Sequence, residues 1–313
     1  MGGEVKRKPL LAIVGPTGVG KTALAARLAK HFPLEVISAD SRQIYIGMDI
    51  GTAKPTPEER AAVPHHLVDI VRPDQDFSLA EFQRMAYRTI AEIHGRGNLP
   101  ALVGGTGQYV RAVLEGWRVP EVPPNRLLRE WLGRLAEERG KEWLYLALKA
   151  IDPQAAEFID PANLRRVVRA LEVCIVSGRR FSESREKNPP PYDILRIGLT
   201  LPRDELYRRV DARVDRMIES GWVEEVERLL AAGYSPDLPS MSALGYREII
   251  SYLQGEVSLE EAIRRIKIRT HRYIRQQYSW FSLSDPLIKW FEAREEEVPN
   301  VVSAVRAWLD RAT

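Results

Sequence analysis

The chain has 313 residues, 44% hydrophobic and 28% charged, enough apolar content for about two domains with real cores and too ordinary a balance for a disordered or collagen-like chain. A single cysteine, Cys174, excludes an intrachain disulfide and a zinc site built on several thiolates. The net charge of +3, from 46 Lys and Arg against 43 Asp and Glu, names no partner by itself.

The first eight residues, Met-Gly-Gly-Glu-Val-Lys-Arg-Lys, lack the apolar stretch of a signal peptide, and Gly2 does not fit a myristoylation signal, so a cytoplasmic protein is expected. Leu10–Val14 reads as a short buried strand running into a glycine-rich turn and then a helical pattern, Thr22–His31. Glu35–Ser38 is the next expected strand, ending at Asp40. Leu79–Ile93 has apolar residues at helical spacing, Leu99–Val103 is another strand, and Tyr109–Leu114 follows it. Strands alternating with helices imply an α/β chain whose parallel sheet is covered on both faces.

The pattern then changes between two proline-rich boundaries, Val119–Pro124 and Asn188–Tyr192. Between them lie helical segments, Arg126–Arg139, Lys141–Ile151, Gln154–Ile159 and Asn163–Ser177, read as an all-helical insertion over 119–192 in a core of 1–118 and 193–313. Ile194–Leu201 reads as a strand, and Arg203–Ala232, Ser242–Leu253 and Ser258–Ser282 as helices. The longest apolar runs are far too short to span a bilayer, and no membrane association is expected.

The strongest chemical signal is Gly15-Pro16-Thr17-Gly18-Val19-Gly20-Lys21-Thr22, a full GxxxxGK[ST] match between strand and helix. Its glycines let the backbone close around an anion, its amides and the helix N-terminus face phosphate, Lys21 adds a full charge, and the Thr22 hydroxyl can hold Mg²⁺. A nucleotide hydrolase would carry an Asp after a second apolar strand. Ala101–Val103 runs instead into Gly104-Gly105-Thr106-Gly107, with no carboxylate. The acidic group follows the other strand, as Asp40-Ser41-Arg42-Gln43, where open α/β sheets bind ligands; it can be a general base or simply a cap.

Charge is unevenly spread. No acidic residue occurs from Ala262 to Ser284, where Arg264, Arg265, Lys267, Arg269, Arg272 and Arg275 stand, and Arg165, Arg166, Arg169, Arg179 and Arg180 form a second cluster around Glu172. Such surfaces suit a polyanion, although the solvated faces of amphipathic helices are the simpler account of composition alone.

In order along the chain come Gly15–Thr22, Asp40–Tyr45, Asp49–Pro55, Pro64–Leu67, Gly104–Tyr109, Arg169–Glu172, Gly245–Glu248 and Arg269–Gln276. From Leu11 to about Phe281 this ordered set closely resembles the bacterial tRNA dimethylallyltransferases, also called tRNA isopentenyltransferases. The departures are small: Gln108 stands where the family often has Leu, and Tyr273–Gln277 varies a segment usually richer in Ala and Lys. The resemblance implies a P-loop NTPase-like core with an inserted helical domain that binds the anticodon stem-loop. It implies transfer of a dimethylallyl group from dimethylallyl diphosphate to the exocyclic amine of the adenosine 3′ of the anticodon in tRNA, releasing diphosphate. Mg²⁺ is the expected cofactor, and a cytoplasmic monomer without the zinc finger of eukaryotic relatives is expected. By the same resemblance Asp40 is the base, Lys21, Thr22 and Arg213 serve the diphosphate, and nucleotide binding at the loop is expected. RNA contacts fall on Asp40, Ser41, Arg42, Gln43, Thr106, Leu164, Arg165, Arg166, Val167, Val168, Met241, Gly245, Tyr246 and Arg247, with phosphate contacts from Arg264–Arg275. Read from spacing alone, Arg213 is a surface helix charge and the Gly104–Gly107 stretch equally a tight turn.

His65 and His66 are adjacent on an extended chain, point to opposite sides and suit packing better than a metal. Cys174 falls on the apolar face of a helix, and the scattered tryptophans are expected mostly in the core. Two other readings use the same motifs: a small-molecule kinase acting on ATP, and a non-catalytic RNA-binding module with a relic phosphate loop.

Overall fold

The computed structural model describes residues 7–312; the amino-terminal segment with Gly2, on which the signal-peptide and acylation readings fall, and Thr313 lie outside the described residues. Six strands, β1 (Lys8–Val14), β2 (Leu34–Ser38), β3 (His65–His66), β4 (Leu99–Gly104), β5 (Tyr192–Thr200) and β6 (Ile288–Glu292), form one sheet in the order β3-β2-β4-β1-β5-β6. Every pairing is parallel, and Ile13 of β1 lies between Val103 of β4 and Ile197 of β5. Strands buried on both faces need no alternation, which is why Leu10–Val14 of β1 and Ala101–Val103 of β4 read as apolar runs, while β2 buries Glu35 and Ser38 among its apolar residues. Helices cover the sheet, and the core draws Leu11 and Ile13 from β1, Leu24 and Leu28 from the Lys21–Leu28 helix, Leu206 and Val210 from Arg203–Glu219, and Val301, Val305 and Trp308 from Val298–Ala312. The architecture is α/β, as the alternation of elements implies.

The chain divides into two compact units. One, comprising 7–77, 84–110 and 191–312 of the described residues, holds the sheet; the other comprises Ser78–Gln83 and Arg111–Pro190. In the second unit the helices Arg126–Arg139, Lys141–Ile151, Pro153–Phe158 and Leu164–Ser177 enclose their own core of Leu132, Leu144, Leu148, Ile159, Val167 and Leu171. Their starts follow from capping: Asn125, Asp152 and Asn163 accept the backbone N–H groups of Leu128, Ala155 and Arg166 at 3.0, 3.1 and 3.1 Å. The fully buried Glu172 is held by Arg129 at 2.8 Å, Arg169 at 2.6 Å and the Asn125 amide at 2.7 Å. Arg169 of the sequence's second basic cluster is therefore an internal partner.

Two local element readings change. The expected helix Arg203–Ala232 is two, Arg203–Glu219 and Trp222–Ala231, parted at Gly221, whose φ of 93° suits glycine. The all-helical carboxy-terminal reading misses β6, which extends the sheet beside β5. The histidine pair forms edge strand β3, where His66 Nε2 meets Glu35 at 2.7 Å and His65 Nδ1 meets the Val63 carbonyl at 2.8 Å. Cys174 is buried, whereas Trp131 and Trp143 are exposed rather than in the core. No helix among the described residues is long and apolar enough to cross a membrane.

Candidate active site

The carboxyl ends of β1, β2 and β4 place three loops side by side. The first is Gly15–Gly20, between β1 and the Lys21–Leu28 helix, with φ of 142°, 75° and 105° at Gly15, Gly18 and Gly20. Gly15 also lies against the Leu199 carbonyl of β5, where a Cβ would collide. The loop thus needs glycine for both conformation and clearance. Lys21 folds back over it, donating to the carbonyls of Gly15 at 3.0 Å and Pro16 at 2.7 Å. Burial pulls its ammonium down to about 8, opposed by the Asp40 charge and reinforced by Arg213.

The second loop follows β2. Asp40 Oδ1 accepts the Arg42 amide at 2.8 Å, so the carboxylate closes an Asx-type turn while its charge is felt by Lys21, Arg213 and Tyr273. Burial lowers the Arg213 guanidinium, with Asp40 the first opposing influence. Tyr273 is pushed up to about 12, by burial and then by Asp40. The four groups nearest the expected chemistry therefore share one field. Arg213 sits on Arg203–Glu219, whose Val210 and Arg209 face Gly18 and Gly20 of the phosphate loop.

The third loop, Gly104–Gly107, follows β4. Its Thr106 amide donates to Ala39 at 3.3 Å, and the Thr106 hydroxyl accepts the Ser41 amide at 3.1 Å, binding the second loop to the third. A Cβ at Gly104 would collide with the Ala39 carbonyl, and one at Gly105 would displace the Gln277 amide. Here the motif meets neighbouring chain segments too closely for any side chain.

Around this centre the predicted RNA contacts sort themselves by exposure. Gln43 is held from both sides: it accepts from Ser38 Oγ at 2.9 Å and donates to Ala53 O at 3.0 Å. Arg42 reaches Pro239 O at 2.9 Å and Ser242 Oγ at 3.2 Å, so its side chain secures the 239–242 turn. Met241 and Tyr246 are fully buried in the cluster of Trp222, Ile249 and Ile266 and cannot present side chains to RNA; Arg247 is exposed, and Gly245 backs onto Trp222. Val167 and Val168 likewise pack into the helical unit's core and Leu164 against it, which leaves Arg165 and Arg166 as the exposed members of that stretch. In each case an apolar residue beside an exposed arginine obeys helical periodicity.

The basic residues of the helix Leu259–Trp280 meet several partners within the fold. Arg264 and Arg265 bond Glu261 at 2.7 Å each, Lys267 bonds Asp215 at 2.7 Å, and Arg269 pairs with Glu248. His271 meets Asp211 at 2.8 Å and stacks on Tyr207 at 4.0 Å, and Arg275 donates to the Tyr207 hydroxyl. Lys267 and Arg269 thus bind helix to helix, Arg264 and Arg265 pair within their own helix, and Arg272 and Arg275 stay exposed.

One feature escapes motif reading. Glu225, buried to 1%, accepts the amides of Asp49, Ile50 and Gly51 at 2.7, 2.7 and 3.2 Å and the Tyr246 hydroxyl at 2.7 Å. It fixes the start of the Asp49–Lys54 motif from 174–176 residues away, and its only sequence signal is an acid on an otherwise apolar helix face. Lys54 completes that turn, bonding Tyr45 O at 2.5 Å, Asp49 at 2.6 Å and Asp69. Among the described residues no group of three or more His, Cys, Asp or Glu could hold a metal ion.

Residues 43–284 match the family model for IPP transferase, and residues 8–68 that for isopentenyl transferase. A tRNA dimethylallyltransferase of Thermomicrobium roseum is 56% identical over 98% of this chain and 92% of its own length, and one of Roseiflexus sp. is 54% identical over 96% and 99%. Among solved structures, the full-length tRNA isopentenylpyrophosphate transferase of Bacillus halodurans superposes with a TM-score of 0.73 at 42% identity over 98% of each chain. A eukaryotic dimethylallyltransferase acting on tRNA reaches 0.80 at 30% identity, over 96% of this chain and 77% of its own. A Walker-type loop facing Asp40, on a chain matched over nearly its whole length, leaves one conclusion: the chain belongs to the IPP transferase family, the tRNA dimethylallyltransferases.

Proposed function

We propose that this chain transfers a dimethylallyl group from dimethylallyl diphosphate to the exocyclic amine of the adenosine just 3′ of the anticodon in tRNA, acting as a cytoplasmic monomer. The observation that carries the reading is the pairing of a lysine-bearing phosphate loop after β1 with Asp40 after β2, linked through one local field with Arg213. The adenine amine attacks the first carbon of the dimethylallyl group, and the carbon–oxygen bond breaks with its electron pair leaving on the diphosphate. The proton lost from the amine passes to the Asp40 carboxylate. Loop amides, Lys21 and Arg213 stabilise the charge growing on the departing oxygen. A base placed this way contributes about 10²–10⁴-fold.

The donor set fits Mg²⁺ arriving with the diphosphate, because that ion keeps several waters and binds substrate phosphates rather than a full protein cage. Thr22, at the start of the Lys21–Leu28 helix, would hold it, and no acidic cluster among the described residues is needed. Bound there, the ion would neutralise diphosphate charge. On the acceptor side, Ser41 and Thr106 flank Asp40 and suit an extruded base, as chemistry on a base requires. Arg165 and Arg166 suit the phosphates of the anticodon stem-loop, positioning RNA without reading its sequence.

Radiolabelled dimethylallyl diphosphate with unmodified tRNA, run beside γ-labelled ATP with candidate alcohols, tests the reading. Label should enter the tRNA nucleosides. Label moving from ATP to a small acceptor, with none in tRNA, would establish a kinase instead.

A further inference from the structure

Gln277 lies near the end of the Leu259–Trp280 helix and is 3% exposed. Both ends of its carboxamide are engaged. Oε1 accepts the Thr17 amide of the phosphate loop at 2.8 Å, and Nε2 donates to the Gly105 carbonyl at 3.0 Å. One residue beyond Gly105, Thr106 binds Ser41, which adjoins Asp40. A single buried side chain therefore ties the loop expected to hold the diphosphate to the turn expected to face the adenine.

Only a primary amide suits this place. Glutamine presents an acceptor and a donor in one plane; glutamate could accept from Thr17 but would set oxygen against oxygen at Gly105, and leucine would serve neither. A buried backbone group left without its partner carries the full cost of desolvation, so each loop has reason to follow the amide. Gly105 records the same contact from its own side, since a Cβ there would displace the amide nitrogen.

We infer that Gln277 is a positioning residue that couples the donor loop to the acceptor-side turn, so that filling either site sets the geometry of the other. The inference rests on the dimethylallyl-transfer reading above. Coupling of this kind is reciprocal: a donor-site ligand that tightens RNA must itself be tightened by RNA.

The test uses the full chain, inorganic pyrophosphate as donor-site probe, and an anticodon stem-loop RNA. Saturating pyrophosphate should tighten RNA binding to the wild-type protein by about fivefold or more. In Gln277→Leu each ligand should still bind alone, the mutual enhancement should vanish, and kcat should fall about 10²-fold from misplaced groups. Gln277→Glu, which keeps the Thr17 bond but not the Gly105 one, should retain part of the enhancement, and it decides the matter if the leucine variant does not fold. A folded Gln277→Leu with undiminished enhancement overturns the inference, as does a wild-type protein that transfers the group yet shows no enhancement. A wild-type protein that transfers nothing to tRNA removes the functional reading and this inference together.

Discussion

Two helices carry the clustered positive charge of this chain, and they use it differently. On Leu259–Trp280 two cations meet acids supplied by neighbouring helices, Lys267 finding Asp215 and Arg269 finding Glu248, and two more, Arg264 and Arg265, share Glu261 of their own helix. On Leu164–Ser177 only Arg169 turns inward, to Glu172, while Arg165 and Arg166 stay exposed at the helix start. The first run is the longer and looks the more basic in sequence, yet four of its six Lys and Arg are already paired with acids, two of them across to other helices. A local charge count measures potential correctly only when no acid from elsewhere folds against it. The cations around Asp40 make a third case, Lys21 and Arg213 converging on one carboxylate from two different helices.

If the sheet unit performs chemistry and the helical unit grips RNA, substitutions should separate the two. Asp40→Asn should lower turnover by about 10²–10⁴-fold with RNA affinity unchanged, read by single-turnover transfer and by filter binding. Near-normal turnover would take Asp40 out of the mechanism. The double reversal Arg165→Glu, Arg166→Glu should do the opposite. RNA affinity should fall about 10²-fold at low salt, and the slope of log affinity against log salt should shrink by roughly 0.7–0.9 for each phosphate that the variant no longer neutralises. Turnover at saturating RNA should hold. An unchanged slope would make that face a bystander.

The paired helix sharpens the contrast from the other side. Glu248 is buried and bonds both Arg269 and the Gly245 amide, so Arg269→Ala leaves a carboxylate short of its counter-charge. Because Arg269 is 39% exposed, part of that loss is screened, and about 2 kcal/mol of stability is expected by denaturant unfolding. Its effect on the salt slope of RNA binding should be nil. A slope change there as large as that of Arg165 and Arg166 would erase the distinction between the helices.

What could be read from sequence was whatever is local. The strand–loop–helix of Leu10 to Leu28 announces itself because glycines, lysine and apolar run are adjacent, and Arg126–Arg139 and Lys141–Ile151 because their periodicity is unbroken. β6 was illegible: Ile288–Glu292 is a short, half-exposed edge strand with no apolar run. Val167, Val168, Met241 and Tyr246 belong to the RNA set that the family resemblance implies, and only packing shows that their side chains face inward. Glu225 and Gln277 act on loops 174–176 and 172–260 residues away along the chain, separations at which no spacing rule operates.

Lys21 belongs to neither kind of helix cation. Its ammonium rests on the Gly15 and Pro16 carbonyls, and burial holds it at about 8 against an ordinary 10.5. Two opposite pH trends follow. Between about 8 and 10.5 the unfolded chain binds more protons at this residue than the folded one, so the lysine's contribution to unliganded stability rises with pH across that window. Over the same range the charge that should attract diphosphate is lost, and pyrophosphate affinity should fall about tenfold for each pH unit above that point. Lys21→Met should flatten both trends, by thermal unfolding for the first and calorimetric titration for the second. Affinity that stays level to pH 10 in the wild-type protein would mean the anion is held by loop amides alone, and the lysine would then owe its place to packing over the loop.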